Sequence, residues 1–155
     1  MRTLRRVTAK DVMTRRVFKA RPWQYAREVA RLFDDRHISG APVVDAVGKL
    51  VGVITKSDLV HAERGGDRRP ERLDFFRFPH DDGFLHGYYQ GPTERTTVRE
   101  MMSRAVVKAE EDVDVKQLAG LMLKRRIHRV LITRKGRLTG IVSALDLIRA
   151  LAKTR

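Results

Sequence analysis

An internal repeat is the feature that most constrains the fold of this chain. The segment DVMTRRVFKA at residues 11–20 aligns with EMMSRAVVKA at residues 100–109. Further along, GVITKSDL at 52–59 returns as GIVSALDL at 140–147, with one residue fewer in the turn before the second copy. Because the same residue types recur in the same order, the chain is expected to build one small unit twice.

Each copy contains the same succession of predicted elements. A short apolar run at Val17 and Phe18, matched by Val106 and Val107, predicts an opening strand. Apolar residues at helical spacing follow and predict one buried helix face in each copy. These positions are Ala26, Val29, Ala30 and Phe33, then Val115, Leu118, Ala119 and Met122. A hairpin and a short closing helix complete each copy, so the predicted fold class is α/β (α+β-like), with two β-α-β-β-α repeats.

The repeats are too small to bury their apolar faces separately. A unit of about 55 residues buries only part of its apolar surface, so the copies are expected to pack on each other. The predicted organisation is a first repeat at 1–63, an interrupting segment at 64–97 and a second repeat at 98–155. Six of the nine Phe and Tyr residues lie in the interrupting segment, whereas solvated linkers lack such residues. Its middle is therefore expected to fold over the core or over a partner chain.

The formal net charge of +14 indicates an affinity for anions without identifying one. Nucleic acid is one candidate partner, but the basic residues are spread along the chain rather than gathered in one segment. The sequence has no cysteine, which excludes disulfides and thiolate metal sites. It shows neither a signal peptide nor an apolar run of membrane-spanning length, so a soluble cytoplasmic protein without membrane contact is expected.

The hydroxyl and carboxyl residues of the two matched segments allow two interpretations. Thr55 with Asp58, and Ser143 with Asp146, have the spacing of a helix N-cap and an acidic residue in the first turn. The same arrangement at a strand-to-helix junction can bind ribose hydroxyls through its carboxylate. The N–H groups of the first helical turn can also bind phosphate. Both interpretations stay open on these residues alone.

Several segments together resemble a tandem pair of cystathionine β-synthase domains, known as CBS domains. They are the openings DVMT and EMMS, the hairpins around GKLVGVIT and GRLTGIVS, and the closings SDLV and LDLI. The resemblance covers about residues 8–62 and 96–152. It implies a disc-like module with two clefts related by a pseudo-two-fold axis. It also implies an adenosine-containing ligand such as AMP, ADP or ATP, and a homodimer.

Carried over residue by residue, the resemblance implies one cleft at the second repeat. Its ligand-binding residues would be Ala20, Arg21, Ile127, His128, Arg129, Ile141, Ser143 and Asp146. Ser143 and Asp146 would bind ribose, and His128 and Arg129 would bind phosphate. Residues around Ala20, in the opening strand of the first repeat, would complete the base pocket.

The other implied cleft departs from this pattern. Its residues would be Ile38, Ser39, Gly40, Val53, Thr55 and Asp58. The segment ISG at 38–40 stands where the first cleft has its His-Arg pair. In addition, Glu110 and Glu111 end the opening strand of the second repeat and are expected to repel phosphate. A nucleoside-like ligand, a cationic ligand or no ligand is therefore expected there.

The residues do not indicate catalysis. The sequence shows no nucleophile with a nearby base and no motif for a catalytic cofactor. HDDGFLH at 80–86 could contact a divalent cation, but such a loop is more often solvated, and no metal site is expected. The basic stretch KRRIHR by itself also fits a cationic helix end.

The chain is predicted to be a non-enzymatic regulatory sensor for an adenine nucleotide. It would signal through a dimer interface, an unidentified protein partner or the aromatic interrupting segment. One alternative is a nucleic-acid-binding protein that uses the repeats as scaffold. Another is a dimerisation module that binds no small molecule.

Overall fold

Two related units of strands and helices make up the structure, which confirms the predicted fold class. The computed structural model describes residues 6–61, 73–77 and 95–153. The strands are β1 (Gly40–Val44), β2 (Leu50–Thr55), β3 (Lys108–Glu110), β4 (Arg129–Arg134) and β5 (Arg137–Ser143). The helices are α1 (Ala9–Val12), α2 (Ala26–Arg36), α3 (Lys56–His61), α4 (Asp74–Arg77), α5 (Val98–Met101), α6 (Val115–Arg125) and α7 (Ala144–Lys153). None of the helices in these ranges has the length and apolar composition needed to cross a bilayer.

The two predicted hairpins are present, and their tips contact each other. β1 pairs antiparallel with β2, and β4 pairs antiparallel with β5. The second hairpin turns through Lys135 and Gly136, both at positive φ, as two-residue hairpin loops require. Leu50 N–H donates to Gly136 O at 3.0 Å, and Leu138 N–H donates to Gly48 O at 3.1 Å. The tips of the two hairpins are therefore joined across the repeats.

Helices α2 and α6 end in the same way, and this ending leads the chain into β1 and β4. His37 and Arg126 adopt left-handed conformations, with φ of 52° and 54°, just beyond the two helices. After this turn, Ile127 N–H donates to Met122 O at 3.0 Å, which satisfies a carbonyl of the last helical turn. The residues directly before β1 and β4 thus have matching positions in the two repeats.

The opening segment of each repeat pairs with the sheet of the other repeat. Thr14 N–H donates to Ile141 O at 2.9 Å, and Ile141 N–H donates to Thr14 O at 3.0 Å. The matching contact joins Ser103 and Val53 through two bonds of 2.9 Å. Because backbone hydrogen bonds cross in both directions, neither repeat completes its sheet without the other.

This exchange explains why the opening strands differ from their prediction. Val17 and Phe18 are not in a strand, and the first repeat retains one parallel bridge between Ala20 and Val43. In the second repeat, β3 begins at Lys108, just past the predicted pair of valines. At Thr14 and Ser103 the chain pairs with the sheet of the other repeat. It therefore joins the sheet of its own repeat only a few residues later.

The core also joins the two repeats. One cluster of buried residues combines Met13 and Leu50 of the first repeat with Leu118 and Leu131 of the second. A second cluster consists mainly of first-repeat residues and includes Phe33. The copies therefore pack on each other, as their small size predicted.

The interrupting segment contributes to this core through α4. Phe75 and Phe76 are buried and stack edge to face, with ring centroids 5.0 Å apart. Both belong to the cluster that spans the repeats. Of the two alternatives for this segment, the described part folds over the core. The remaining aromatic residues of the segment lie outside the described residues: Phe78, Phe84, Tyr88 and Tyr89.

The close approach of the exchanged segments should make two glycines irreplaceable. A Cβ on Gly140 would lie 2.8 Å from Thr14 O, and a Cβ on Gly52 would lie 2.7 Å from Ser103 O. We expect Gly140→Ala and Gly52→Ala each to lower the free energy of unfolding by about 1–3 kcal/mol, because the backbone must shift to admit the methyl group. Urea unfolding measures the change.

Gly120→Ala is the matched control. Gly120 lies within α6, and a Cβ there would meet nothing within 4 Å. Alanine should raise the free energy of unfolding at this position, by up to about 1 kcal/mol, because it favours helix more than glycine does. If Gly140→Ala were as stable as Gly120→Ala, the close contact would be refuted.

Candidate functional site

At the second repeat, the predicted hydroxyl and carboxyl pair forms a helix cap. Ser143 ends β5, and its N–H and O–H both donate to Asp146 Oδ2, at 2.8 Å and 2.9 Å. Asp146 N–H donates back to Ser143 Oγ at 3.2 Å. Asp146 Oδ1 lies 3.6 Å from a guanidinium nitrogen of Arg149. The capping interpretation is confirmed, and it fixes the carboxylate at the start of α7.

The β4–β5 register brings the basic pair next to this cap. Arg129 is directly opposite Ser143 in the antiparallel ladder. Ala144 N–H, the first of α7, donates to His128 O at 2.8 Å. The backbones of His128 and Arg129 therefore adjoin the Ser143–Asp146 cap, in the cleft that the family resemblance implies. Cationic side chains, a carboxylate and a helix N-terminus are the groups that phosphate and ribose require.

The two basic side chains have different surroundings. His128 is exposed, whereas Arg129 is 7% exposed. The guanidinium carbon of Arg129 lies 4.5 Å from the centroid of the Phe75 ring. The backbone N–H of His128 donates to the backbone oxygen of Phe76 at 2.6 Å. Helix α4 of the interrupting segment thus contacts both basic residues.

The two isoleucines predicted for this cleft have unequal positions. Ile141 is partly buried and pairs with Thr14 of the first repeat. Ile127 is 3% exposed and belongs to the core cluster that spans the repeats. Ile141 is therefore placed where both repeats meet, whereas Ile127 packs in the core.

Ala20 and Arg21 are not brought to this group. Ala20 is fully buried, pairs with Val43 and belongs to the first repeat's core cluster. Arg21 Nη1 donates to Asp45 O at 2.6 Å. The expectation that Ala20 contacts the second-repeat cleft is corrected: Thr14 is the first-repeat residue that pairs with Ile141. The opening segment passes from one repeat's sheet to the other's between residues 14 and 20.

The first repeat reproduces the backbone of the site without basic residues at the positions of His128 and Arg129. Thr55 N–H donates to Asp58 Oδ2 at 2.8 Å, and Asp58 N–H donates to Thr55 Oγ1 at 3.2 Å. Lys56 N–H donates to Ser39 O at 2.9 Å, and Gly40 pairs with Thr55. Ser39 and Gly40 therefore occupy the positions that His128 and Arg129 have in the second repeat. The remaining residues predicted for this cleft are half-buried or buried apolar side chains: Ile38 and Val53.

The carboxylates of Glu110 and Glu111 have another location than expected. Thr133 Oγ1 donates to Glu110 Oε1 at 2.8 Å. Thr133 lies near the end of β4 that is opposite to Arg129. These carboxylates line a separate cavity of about 420 Å³, together with Lys10, Asp112 and Arg134. Repulsion by Glu110 and Glu111 therefore gives no reason for phosphate to avoid the first-repeat cleft. The lack of basic side chains at Ser39 and Gly40 is the reason that remains.

Sequence reasoning missed three residues at this site. Thr14 had a detectable signal, because it occupies the same repeat position as Ser103. Phe75 and Phe76 were singled out as aromatic, but no sequence pattern predicted their position against β4.

The segment HDDGFLH lies outside the described residues. Among the residues that are described, no three His, Cys, Asp or Glu side chains are grouped to hold a metal ion.

Both repeats match one protein-family model. A protein-family model described as CBS domain matches residues 9–65 and 98–153. The uncharacterized protein MJ1426 of Methanocaldococcus jannaschii is 37% identical over 133 residues, which cover 80% of this chain and 79% of that protein. The inosine-5'-monophosphate dehydrogenase of Thermoplasma acidophilum is 31% identical over 123 residues, or 78% of this chain and 19% of the enzyme.

Among solved structures, the CBS domain pair of protein MJ0100 in complex with 5′-methylthioadenosine and S-adenosyl-L-methionine matches with a TM-score of 0.63. Its sequence is 25% identical, and the match covers 97% of this chain and 99% of that chain. The family match covers both repeats and most of the chain. The chain therefore belongs to the CBS domain family and contains a tandem pair of CBS domains.

Proposed function

We propose that the chain is a regulatory, non-enzymatic sensor that binds an adenine nucleotide between its two repeats. The observation that carries the proposal is the pairing of Arg129 with Ser143, which brings the backbone of the basic pair next to the cap that holds the Asp146 carboxylate. The nucleotide would be AMP, ADP or ATP. It would occupy the cleft at the junction of β5 and α7.

The chemistry of each part of the ligand has a counterpart in this cleft. The Asp146 carboxylate can accept hydrogen bonds from ribose hydroxyls. The imidazole of His128 and the guanidinium of Arg129 can donate to phosphate oxygens, and the N-terminus of α7 adds a favourable dipole. Thr14 and Ile141, paired where the repeats meet, would flank the base.

The MJ0100 comparison supports an adenosine-containing ligand. Both small molecules in that complex, 5′-methylthioadenosine and S-adenosyl-L-methionine, contain adenosine. Neither contains phosphate, so they support the adenosine part of the proposal alone. The preference for a phosphate-bearing ligand rests on His128 and Arg129 of this chain.

The first-repeat cleft is proposed as the weaker site. Thr55 and Asp58 keep the arrangement of the ribose end, but Ser39 and Gly40 supply no cation. A nucleoside would fit this cleft better than a nucleotide. Any regulatory output requires that the ligand bind two states of the protein with unequal affinity. A homodimer in the cytoplasm, acting on an unidentified protein, is the proposed setting.

Adenine nucleotides should raise the melting temperature of the full chain. At a ligand concentration of about 100 times Kd, mass action adds about 2.7 kcal/mol of stability, or about 5–10 °C for a chain of this size. Differential scanning fluorimetry with adenosine, AMP, ADP, ATP and S-adenosylmethionine measures the shift. No shift with any of these compounds at millimolar concentration would refute the proposal.

Asp146→Ala should reduce this ligand-induced shift, and Asp58→Ala is its matched control. Both substitutions remove a capping carboxylate, so each should lower the free energy of unfolding by about 1 kcal/mol. The melting temperatures of the two variants without ligand should therefore fall by similar amounts. Only Asp146→Ala should weaken nucleotide binding. An equal loss of binding in both variants would show that the effect comes from the caps and not from the proposed site.

His128→Ala should weaken AMP binding about ten-fold or more, because a hydrogen bond to a charged phosphate is lost. Adenosine binding should not change, and isothermal titration calorimetry measures both affinities. Arg125→Ala is the control, because this substitution removes a charge from the same basic stretch. Arg125 is exposed at the end of α6. Equal effects of the two substitutions on AMP would favour a cationic helix end without a phosphate site.

The net charge of +14 favours nucleic acid as the second candidate. In that case, fluorescence anisotropy with duplex DNA or RNA should show binding that weakens steeply between about 50 and 200 mM salt. This binding should be unaffected by Asp146→Ala. Such a result, together with no response to adenosine compounds, would replace the sensor by a nucleic-acid-binding scaffold. A dimer that survives Asp146→Ala and binds neither ligand would identify a dimerisation module.

A further inference from the structure

We infer that Phe75 and Phe76 of α4 are positioning residues that make the second-repeat cleft specific for phosphate, while the Phe75 ring favours glycine over a basic residue at the matching position of the first-repeat cleft. The inference deepens the proposed function and rests on it. It assigns a role to the described part of the interrupting segment. This segment falls between the two stretches that match the family model.

The Phe75 ring holds the Arg129 guanidinium. Its centroid lies 4.5 Å from the guanidinium carbon, and both residues are largely removed from solvent. A cation over a ring face is attracted to the electron-rich π system, and burial strengthens this attraction. The Phe76 ring packs edge to face against Phe75 and keeps it in place. Helix α4 therefore contributes to the direction of the Arg129 side chain.

The backbone of α4 positions the neighbouring basic residue. Phe76 O accepts a 2.6 Å hydrogen bond from His128 N–H, while His128 O accepts from Ala144 N–H at 2.8 Å. The peptide groups on both sides of His128 are thus held, one by α4 and one by α7. Two basic residues with fixed backbones lose less conformational freedom on binding phosphate than two mobile ones.

The same ring fills the corresponding space in the first repeat. Gly40 is the counterpart of Arg129, and a Cβ on Gly40 would lie 2.9 Å from Phe75 Cδ2. The Cβ of a side chain at this position would also lie 3.0 Å from Ile54 O and 3.2 Å from Thr55 Cγ2, so a basic residue there would require these groups and the ring to shift. The Phe75 ring therefore packs on the arginine of one cleft and contributes to the crowding that favours glycine in the other. The consequence is one high-affinity AMP site in each chain.

The test is isothermal titration calorimetry of the full chain with AMP and with adenosine. Phe75→Leu keeps an apolar side chain but removes the ring face, and it should lower AMP affinity about three- to ten-fold. Adenosine affinity should stay unchanged. Phe75→Met is a second apolar replacement, for use if the leucine variant fails to fold. The wild type should bind one AMP per chain in the strong phase.

Phe18→Leu is the matched control. Phe18 also lies under an arginine, with Arg36 Cζ 5.0 Å from its ring centroid, and also packs edge to face on a second ring. The substitution Phe18→Leu should change neither the AMP affinity nor the adenosine affinity. The NMR signal of the Arg129 side chain provides a readout without ligand, because an aromatic ring face shifts the signals of groups above it upfield. Phe75→Leu should remove this upfield shift.

Two results would overturn the inference while leaving the proposed function intact. One is an unchanged ratio of AMP to adenosine affinity in Phe75→Leu, and the other is two equal AMP sites in the wild type. A wild-type chain that binds no adenosine compound would overturn the proposed function and this inference with it. A fall of AMP affinity in Phe75→Leu with no change in Phe18→Leu supports both.

Discussion

The structure depends on the exchange of opening segments between the repeats. The backbone bonds between Thr14 and Ile141, and between Ser103 and Val53, complete each sheet with a strand segment from the other copy. Because unpaired backbone groups are costly when buried, neither copy can leave the other without exposing its sheet edge. The exchange also places first-repeat backbone beside the β5–α7 junction, where the nucleotide is proposed to bind.

That junction stabilises α7 and is also the proposed binding site. Asp146 caps α7 through Ser143, and such a cap contributes about 1 kcal/mol to stability. The proposed ribose contact uses the same carboxylate. A carboxylate has about four lone-pair positions, so it can keep its cap and accept from a ligand. The cap would then act as preorganisation, because it holds the carboxylate in place before the ligand arrives.

The two clefts share a backbone but differ in side chains. Turns, pairing and caps repeat almost position by position, whereas Ser39 and Gly40 replace His128 and Arg129. Helix α4 has no counterpart among the described residues of either repeat, and it lies against both clefts at once. A symmetric scaffold with one asymmetric element provides a simple physical route to a module with unequal sites.

The grouping of His128, Arg129, Ser143 and Asp146 was implied by the family resemblance, whereas repeated residue patterns by themselves determined the two-fold architecture, both hairpins and the helix faces. These features are local or follow from strand register, and the spacing of residues encodes both. The partner of Ile141, the place of Ala20 and the position of Phe75 were decided by the tertiary structure. Each is a contact between residues far apart in sequence, and no periodicity specifies which distant surfaces will meet. Packing of the complete chain makes that choice, because only there are the buried backbone groups paired and the core filled.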